Sequence, residues 1–151
     1  MDCYETALAY AGYREQFGQP IASFQLTQQK LVAMLNEISL GQLLSIHVGR
    51  IKDSGELDPA TVSMFKMNNV AKARQVAATA RDTLGGNGIL LDYRVMEHMA
   101  DLEGVYSYEG TNDINTLIVG QAITGHRAFS PRPPKNLEKD GRAQRAEEKP
   151  Q

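Results

Sequence analysis

Between Ser23 and Leu84 the chain contains a single proline, Pro59, and its placement governs what this sequence can fold into. A proline inside an α-helix removes an amide donor and crowds the carbonyl four residues back. Here it follows Asp58, and a capping carboxylate followed by proline at the first helical position is a helix start. The segment therefore divides into two long helices. One runs from near Ser23, whose hydroxyl is expected to cap it, to about Asp53, and Gly55 ends it. The other runs from Asp58-Pro59 to about Leu84. In the first, Leu31, Met34, Leu35 and Ile38 recur at helical spacing and Leu44, Val48 and Ile51 continue the stripe. In the second, Val62, Phe65, Val70, Ala73, Val76, Ala77 and Ala80 form the apolar side, and the alanines let a neighbouring helix come close.

The remaining segments supply the partners these stripes need. Met1 to Glu15 reads as a helix ended near Gly18 and Pro20; it opens without a cap or incoming loop, as a piece cut from a longer chain would. Gly85-Gly86-Asn87-Gly88 stops the long helix, and a shorter helix is expected over about Tyr93 to Leu102 with Asp92 as its cap. Glu103 to Gly110 reads as a loop. A last helix begins at Thr111 or Asn112, with Asp113 in its first turn favourable to the helix dipole. Ile114, Leu117 and Ile118 form its stripe and Gly125 closes it. No strand-like alternation of useful length and no internal repeat is evident. The expectation is an all-α domain over residues 1–129, an up-and-down four-helix bundle with a short extra helix. A disordered tail is expected over 130–151, where Pro131, Pro133 and Pro134 stand among mixed charges.

Composition narrows the function classes. A chain of 151 residues with 42% apolar side chains suits one domain with a core. A formal charge of −2 argues against a nucleic-acid surface. The single Cys3 cannot form an internal disulfide, which fits a reducing compartment, and no Cys/His spacing matches a zinc site. No apolar run approaches the roughly 20 residues of a membrane span, so a soluble chain without membrane insertion is expected. Asp2 and Glu5 break up any secretory leader.

Three short segments are candidates for chemistry, each with a plain structural alternative. Tyr108-Glu109-Gly110-Thr111 places a carboxylate beside a glycine just before a helix, where free N–H groups can hold an anion or a carbonyl oxygen; it can equally be a solvated loop. Gly85-Gly86-Asn87-Gly88 can bring backbone close to a phosphate, or serve only as a helix stop; no strand precedes it, so it is not a dinucleotide-fold signal. Arg14-Glu15-Gln16-Phe17-Gly18 can clamp a phosphate beside a stacking ring, or be surface charge at a helix end. His47, His98, His126, Met64, Met67, Asp101 and Glu103 read as ordinary structural residues.

In this order and spacing, Arg-x-Gln-Phe-Gly, Gln25, Lys30-Leu31, Leu-Gly-Gly-Asn-Gly and Tyr-Glu-Gly-Thr resemble the C-terminal domain of the acyl-CoA dehydrogenases over about residues 3 to 129. Arg81 to Ile89, Tyr108 to Ile114 and Ala122 to Gly125 look most like the glutaryl-CoA dehydrogenases. The resemblance implies an FAD enzyme in which Glu109 removes the α-proton of an acyl-CoA while a β-hydride leaves for the flavin, with or without decarboxylation. It implies that Tyr108 and Gly110 line the acyl pocket. It also implies cofactor contacts from Arg14, Phe17 and Gln25, from Asp82, Thr83, Leu84, Gly85 and Gly86 to a neighbouring subunit's FAD, from Thr111, Asn112 and Asp113, and from Phe129. Asp82 stands where much of the wider family has Gln. A dimer or tetramer, a glutaryl-CoA substrate, an electron-transferring acceptor protein, and a bacterial cytoplasmic or mitochondrial-matrix location follow from the same resemblance. Family members carry two further domains upstream and earlier turns of the first helix, so this chain alone is expected to bind FAD poorly and turn over nothing. The competing expectation is a non-catalytic helical oligomerisation module.

Overall fold

The computed structural model describes residues 1–128; the expectations for Phe129 and for the tail over 130–151 lie outside the described residues. Five α-helices follow in order: α1 (Asp2–Tyr13), α2 (Gln25–Ser54), α3 (Pro59–Thr83), α4 (Val95–Ser107) and α5 (Asn112–Thr124). The all-α architecture expected from the sequence is the one observed. α3 is its axis and packs against each of the other four helices. α2 runs antiparallel to it: Lys30 meets Asp82, Glu37 Oε1 lies 3.2 Å from Lys72 Nζ, and Asn69 Nδ2 donates to the Gly41 carbonyl at 3.2 Å.

The core is thin and made largely of small side chains. Ala7 and Ala11 of α1 meet Ala77 and Ala80 of α3, with Cys3, Tyr10, Leu31 and Val76 around them. Met34, Leu84 and Val95 are the largest fully buried side chains. Short side chains let helix axes approach closely, so dispersion contacts between backbones replace those of bulky residues. Cys3 packs in the core, and burial pushes its thiol up from the ordinary value.

Where helix ends are set by local chemistry, the sequence reading holds. Asp58 Oδ1 accepts from the Ala60 and Thr61 amides at 2.8 and 3.0 Å, and its hydrogen bonds with Thr61 hold the carboxyl below its ordinary value. Gly55 and Gly125 adopt the left-handed conformation that closes α2 and α5. Four expectations need correction. Ser23 does not cap α2; it sits in a 3-10 turn, Ile21–Ser23, and Phe24 occupies the cap without a side-chain hydrogen bond. Asp92 does not cap α4; it lies in another 3-10 turn, Leu91–Tyr93, and Arg94 in the left-handed region (φ 59°) opens the helix. α4 also continues to Ser107, taking in much of the expected Glu103–Gly110 loop. Glu103 makes a two-point ion pair with Arg74 of α3 (2.7 and 3.0 Å), and the Arg74 guanidinium lies 4.2 Å from the centre of the Tyr106 ring. These contacts fasten the last turns of α4 to α3 and leave only Tyr108–Gly110 as connection. Finally, the first helix ends at Tyr13 rather than Glu15, because Glu15–Gln16 pairs with Gln19–Pro20 as two short antiparallel strands, β1 and β2.

α2 differs from expectation in a further way. Leu31, Met34 and Val48 face inward, but Leu35 is exposed, and so are Val32, Leu40, Leu43 and Ile46. Both faces of the helix are apolar. Glu37 is the only Asp, Glu, Lys or Arg between Lys30 and Arg50, so an 18-residue window reaches a mean hydropathy of 1.4 and the helix is long and apolar enough to cross a membrane by length and composition. The expectation of no such segment failed because it counted uninterrupted apolar runs, whereas uncharged Ser, Gly, Gln and Asn are interspersed here without lowering the average much.

Candidate functional site

Two groups of residues singled out from the sequence assemble, at different levels of the bundle. The first gathers where α3 ends and α2 begins. After α1, Phe17 (φ 54°) and Gly18 (φ 78°) form a two-residue turn between β1 and β2 with both residues left-handed, the backbone that matches the twist of a hairpin. The turn thrusts the Phe17 ring outward, 93% exposed, with only an edge-on contact to Phe24 at 6.1 Å between ring centres. Arg14 is exposed and makes no ion pair among the described residues, and Gln25 opens α2 with an exposed side chain.

The end of α3 meets the first turns of α2. Lys30 pairs with Asp82, and that hydrogen bond, with the ammonium charge, holds the Asp82 carboxyl below its ordinary value. Thr83 and Leu84 turn inward: Leu84 is fully buried in the core, and the Thr83 hydroxyl donates to the Thr79 carbonyl at 2.8 Å. Their side chains are committed to the fold. The glycines that follow divide between two roles. A Cβ on Gly88 would lie 2.2 Å from the Arg81 carbonyl oxygen, so that glycine exists for packing against α3. Gly85 (φ 60°) and Gly86 have nothing within 4 Å of the same point and present open backbone. Asn87 Nδ2 donates to the Tyr10 hydroxyl at 3.0 Å and ties the turn to α1.

The second group is the connection between α4 and α5. Tyr108 ends α4 in extended conformation, its N–H donating to the Gly104 carbonyl at 2.9 Å. Glu109 (φ 51°) and Gly110 (φ 89°) are both left-handed, a conformation that costs a non-glycine residue about 1–2 kcal/mol and persists where its surroundings enforce it. Thr111 then caps α5, its Oγ1 accepting from the Ile114 amide at 3.2 Å; Asn112 and Asp113 form the first turn. The Glu109 side chain is exposed, and its backbone N–H donates to no group among the described residues.

Two residues absent from the sequence-based candidates hold this connection. Lys66 of α3 is half-buried, and its ammonium donates to the carbonyls of Tyr108, Glu109 (3.3 Å) and Gly110 (2.6 Å) while lying 5.9 Å from the centre of the Tyr108 ring. Asn115 of α5, only 6% exposed, donates through Nδ2 to the carbonyls of Gly110 (2.8 Å) and Thr111 (3.0 Å). Nothing in their spacing signals these roles, because the partners are brought together by the fold.

Glu109 is therefore not beside Arg14, Phe17, Gln25 and Asp82. Lys66 and Asp82 are 16 positions apart on one helix, about 24 Å at 1.5 Å per residue. A cleft of about 460 Å³ opens elsewhere, among Met1, Ile38, Gly41, Ala73 and Leu102; Asp2 and His98 line it, in contact with each other at 2.5 Å. Among the described residues no group of His, Cys, Asp and Glu could hold a metal ion.

The fold is an all-α bundle that carries an exposed carboxylate on a braced turn and, at another level, an open glycine backbone and a projecting aromatic ring. The family signature "Acyl-CoA dehydrogenase, C-terminal domain" matches residues 1–124, and the chain belongs to that family. Among solved structures, glutaryl-CoA dehydrogenase from Mycobacterium smegmatis is similar at 56% identity with a TM-score of 0.82, over 85% of this chain and 33% of that one. A glutaryl-CoA dehydrogenase from the same organism, in complex with FADH2, shares 44% identity at a TM-score of 0.82 over the same shares. The mitochondrial 2-methylacyl-CoA dehydrogenase of Solanum tuberosum is 32% identical over 125 residues, 83% of this chain and 30% of that protein. The chain spans about a third of the length of the relatives it matches.

Proposed function

We propose that this chain is the base-bearing, flavin-contacting part of an FAD-dependent acyl-CoA dehydrogenase of the glutaryl-CoA type, with Glu109 as the base that takes the α-proton. The observation that carries the reading is the Tyr108–Thr111 turn. It offers, from one residue, a carboxylate and an amide N–H that has no acceptor among the described residues, on backbone braced by Lys66 and Asn115. The α-proton of a thioester is only weakly acidic, so the base must stand within hydrogen-bond reach of it. As the proton leaves, charge builds on the thioester oxygen, and a preorganised N–H aimed at that oxygen stabilises it. Glu109 supplies both groups. Its exposure leaves it open to substrate. Tyr108 and Gly110 line the acyl side of the same turn.

The residues of the first group fit a flavin nucleotide. Phe17 offers an exposed aromatic face for stacking, Arg14 an exposed guanidinium for phosphate, and Gly85-Gly86 a backbone that no Cβ obstructs. Gln25, Asp82 and the Thr111–Asp113 turn complete the set of contacts, while Thr83 and Leu84 take part only through position. Bound FAD supplies the acceptor for the β-hydrogen and its electron pair. The distance of about 24 Å along α3 between the two groups supports an assembly in which one chain serves the cofactor of another, hence a dimer or tetramer. The glutaryl-CoA preference draws its support from the 56% and 44% identities.

The exposed apolar face of α2 is what favours the second reading, a helical oligomerisation module without catalysis. The two part on one experiment. In the flavin-loaded protein carrying this chain, anaerobic glutaryl-CoA is expected to bleach the flavin, and Glu109→Gln to abolish bleaching while substrate still binds. Equal bleaching by the variant refutes the role of Glu109, and the absence of bleaching in the wild type favours the module.

A further inference from the structure

We infer that Lys66 is a positioning residue for the Glu109 turn: its ammonium gathers three consecutive backbone carbonyls and thereby aims the Glu109 amide and anchors the Glu109 carboxylate. The inference rests on the reading of Glu109 as the base.

In a trans peptide the C=O and the following N–H point in opposite directions. Lys66 Nζ holds the Tyr108 oxygen, so the Glu109 N–H of the same peptide points away from α3 toward the open side. The Glu109 oxygen is 3.3 Å from the same ammonium, and so the Gly110 N–H is turned outward as well. The Gly110 oxygen is held by Lys66 at 2.6 Å and by Asn115 at 2.8 Å, which fixes the third peptide plane. With three successive planes set, the φ of 51° at Glu109 has no freedom to relax toward the ordinary helical or extended regions.

A lysine suits this task because an ammonium carries three donors and no acceptor. The carbonyls it meets lie at the C-terminal end of α4, where the helix dipole favours a cation. Among the described residues no carboxylate lies within ion-pair distance of Lys66, so nothing on α3, α4 or α5 competes for it. The Tyr108 ring at 5.9 Å shields one side. Asn115 alone cannot do the work, since it reaches only the Gly110 and Thr111 carbonyls and leaves the Tyr108–Glu109 peptide free to flip.

Two readouts separate this inference from the function on which it rests. On the 151-residue chain, nitrogen-15 relaxation is expected to give order parameters near about 0.85 at Glu109 and Gly110 in the wild type and below about 0.6 in Lys66→Met, with α3 unchanged. Lys66→Arg, which keeps the charge and the donors, is expected to hold most of the order. In the flavin-loaded protein, Lys66→Met is expected to slow flavin reduction by acyl-CoA about 100-fold, the scale of a misplaced reacting group, while substrate affinity changes little. Should Lys66→Met fail to fold, Lys66→Gln serves: order at Glu109 below wild type supports the inference and equal order contradicts it. Wild-type order at Glu109 in Lys66→Met overturns the positioning role whatever Glu109→Gln does. Normal flavin reduction by Glu109→Gln instead overturns the role of Glu109 and leaves the order parameters standing.

Discussion

The turn at Phe17-Gly18 and the turn at Glu109-Gly110 share a backbone design: a non-glycine residue with positive φ followed by a glycine with positive φ. They are held in opposite ways. The first is closed by its own strands, pairing Glu15 with Pro20 and Gln16 with Gln19, and the backbone it presents touches almost nothing beyond itself. The second has no pairing of its own and is held from outside, by Lys66 from 42 to 44 residues earlier and by Asn115 from the next helix. A locally closed turn displays a side chain and tolerates being moved as a unit. A turn braced from a distant helix fixes two groups against a rigid frame, which is what proton transfer and oxyanion stabilisation demand.

Substitutions distinguish the two turns. The largest effect belongs to Glu109→Gln: flavin reduction is expected to fall by about 10²–10⁴-fold, the worth of a positioned base, with the melting temperature unchanged because the side chain is exposed. Gly110→Ala follows. Its Cβ would lie 3.3 Å from Asn115 Nδ2 at a φ of 89°, so strain and a displaced hydrogen bond together are expected to cost about 2–4 kcal/mol in denaturant unfolding. Gly18→Ala meets only the strain, since nothing lies within 4 Å, and is expected to cost about 1–2 kcal/mol. Equal costs for the two alanines would erase the distinction between the turns. Smallest of all in stability is Phe17→Ala, expected within about 0.5 kcal/mol of wild type while weakening FAD binding measured by fluorescence titration.

How far the sequence revealed this design follows the same divide. The Asp58 cap, the start of α5 at Thr111 or Asn112, and the Gly55 and Gly125 stops were legible because each is set by residues a few positions apart. Glu109, Arg14 and Phe17 stood out as candidates through the order of short motifs, and the structure adds which of them stand together. The reach of α4 to Ser107 was not legible, since it depends on Arg74 meeting Glu103 across two helices. Nor were Lys66 and Asn115, whose partners are carbonyls that no residue type announces. The inward turn of Thr83 and Leu84 escaped because they lie within a motif read as a whole, while burial is decided by the register of α3 against α1 and α4. Along α2, Leu35 was assigned to the inner stripe, yet a 30-residue helix with apolar residues on both faces gives periodicity little to discriminate.

Removal of the α-proton by Glu109 is read most directly from exchange of that proton with solvent deuterium. With the flavin-loaded protein in deuterium oxide and a saturated acyl-CoA, mass spectrometry of the recovered thioester is expected to show deuterium at the α-carbon for the wild type and none above background for Glu109→Gln. Deuterium entering at the same rate in both would contradict the account.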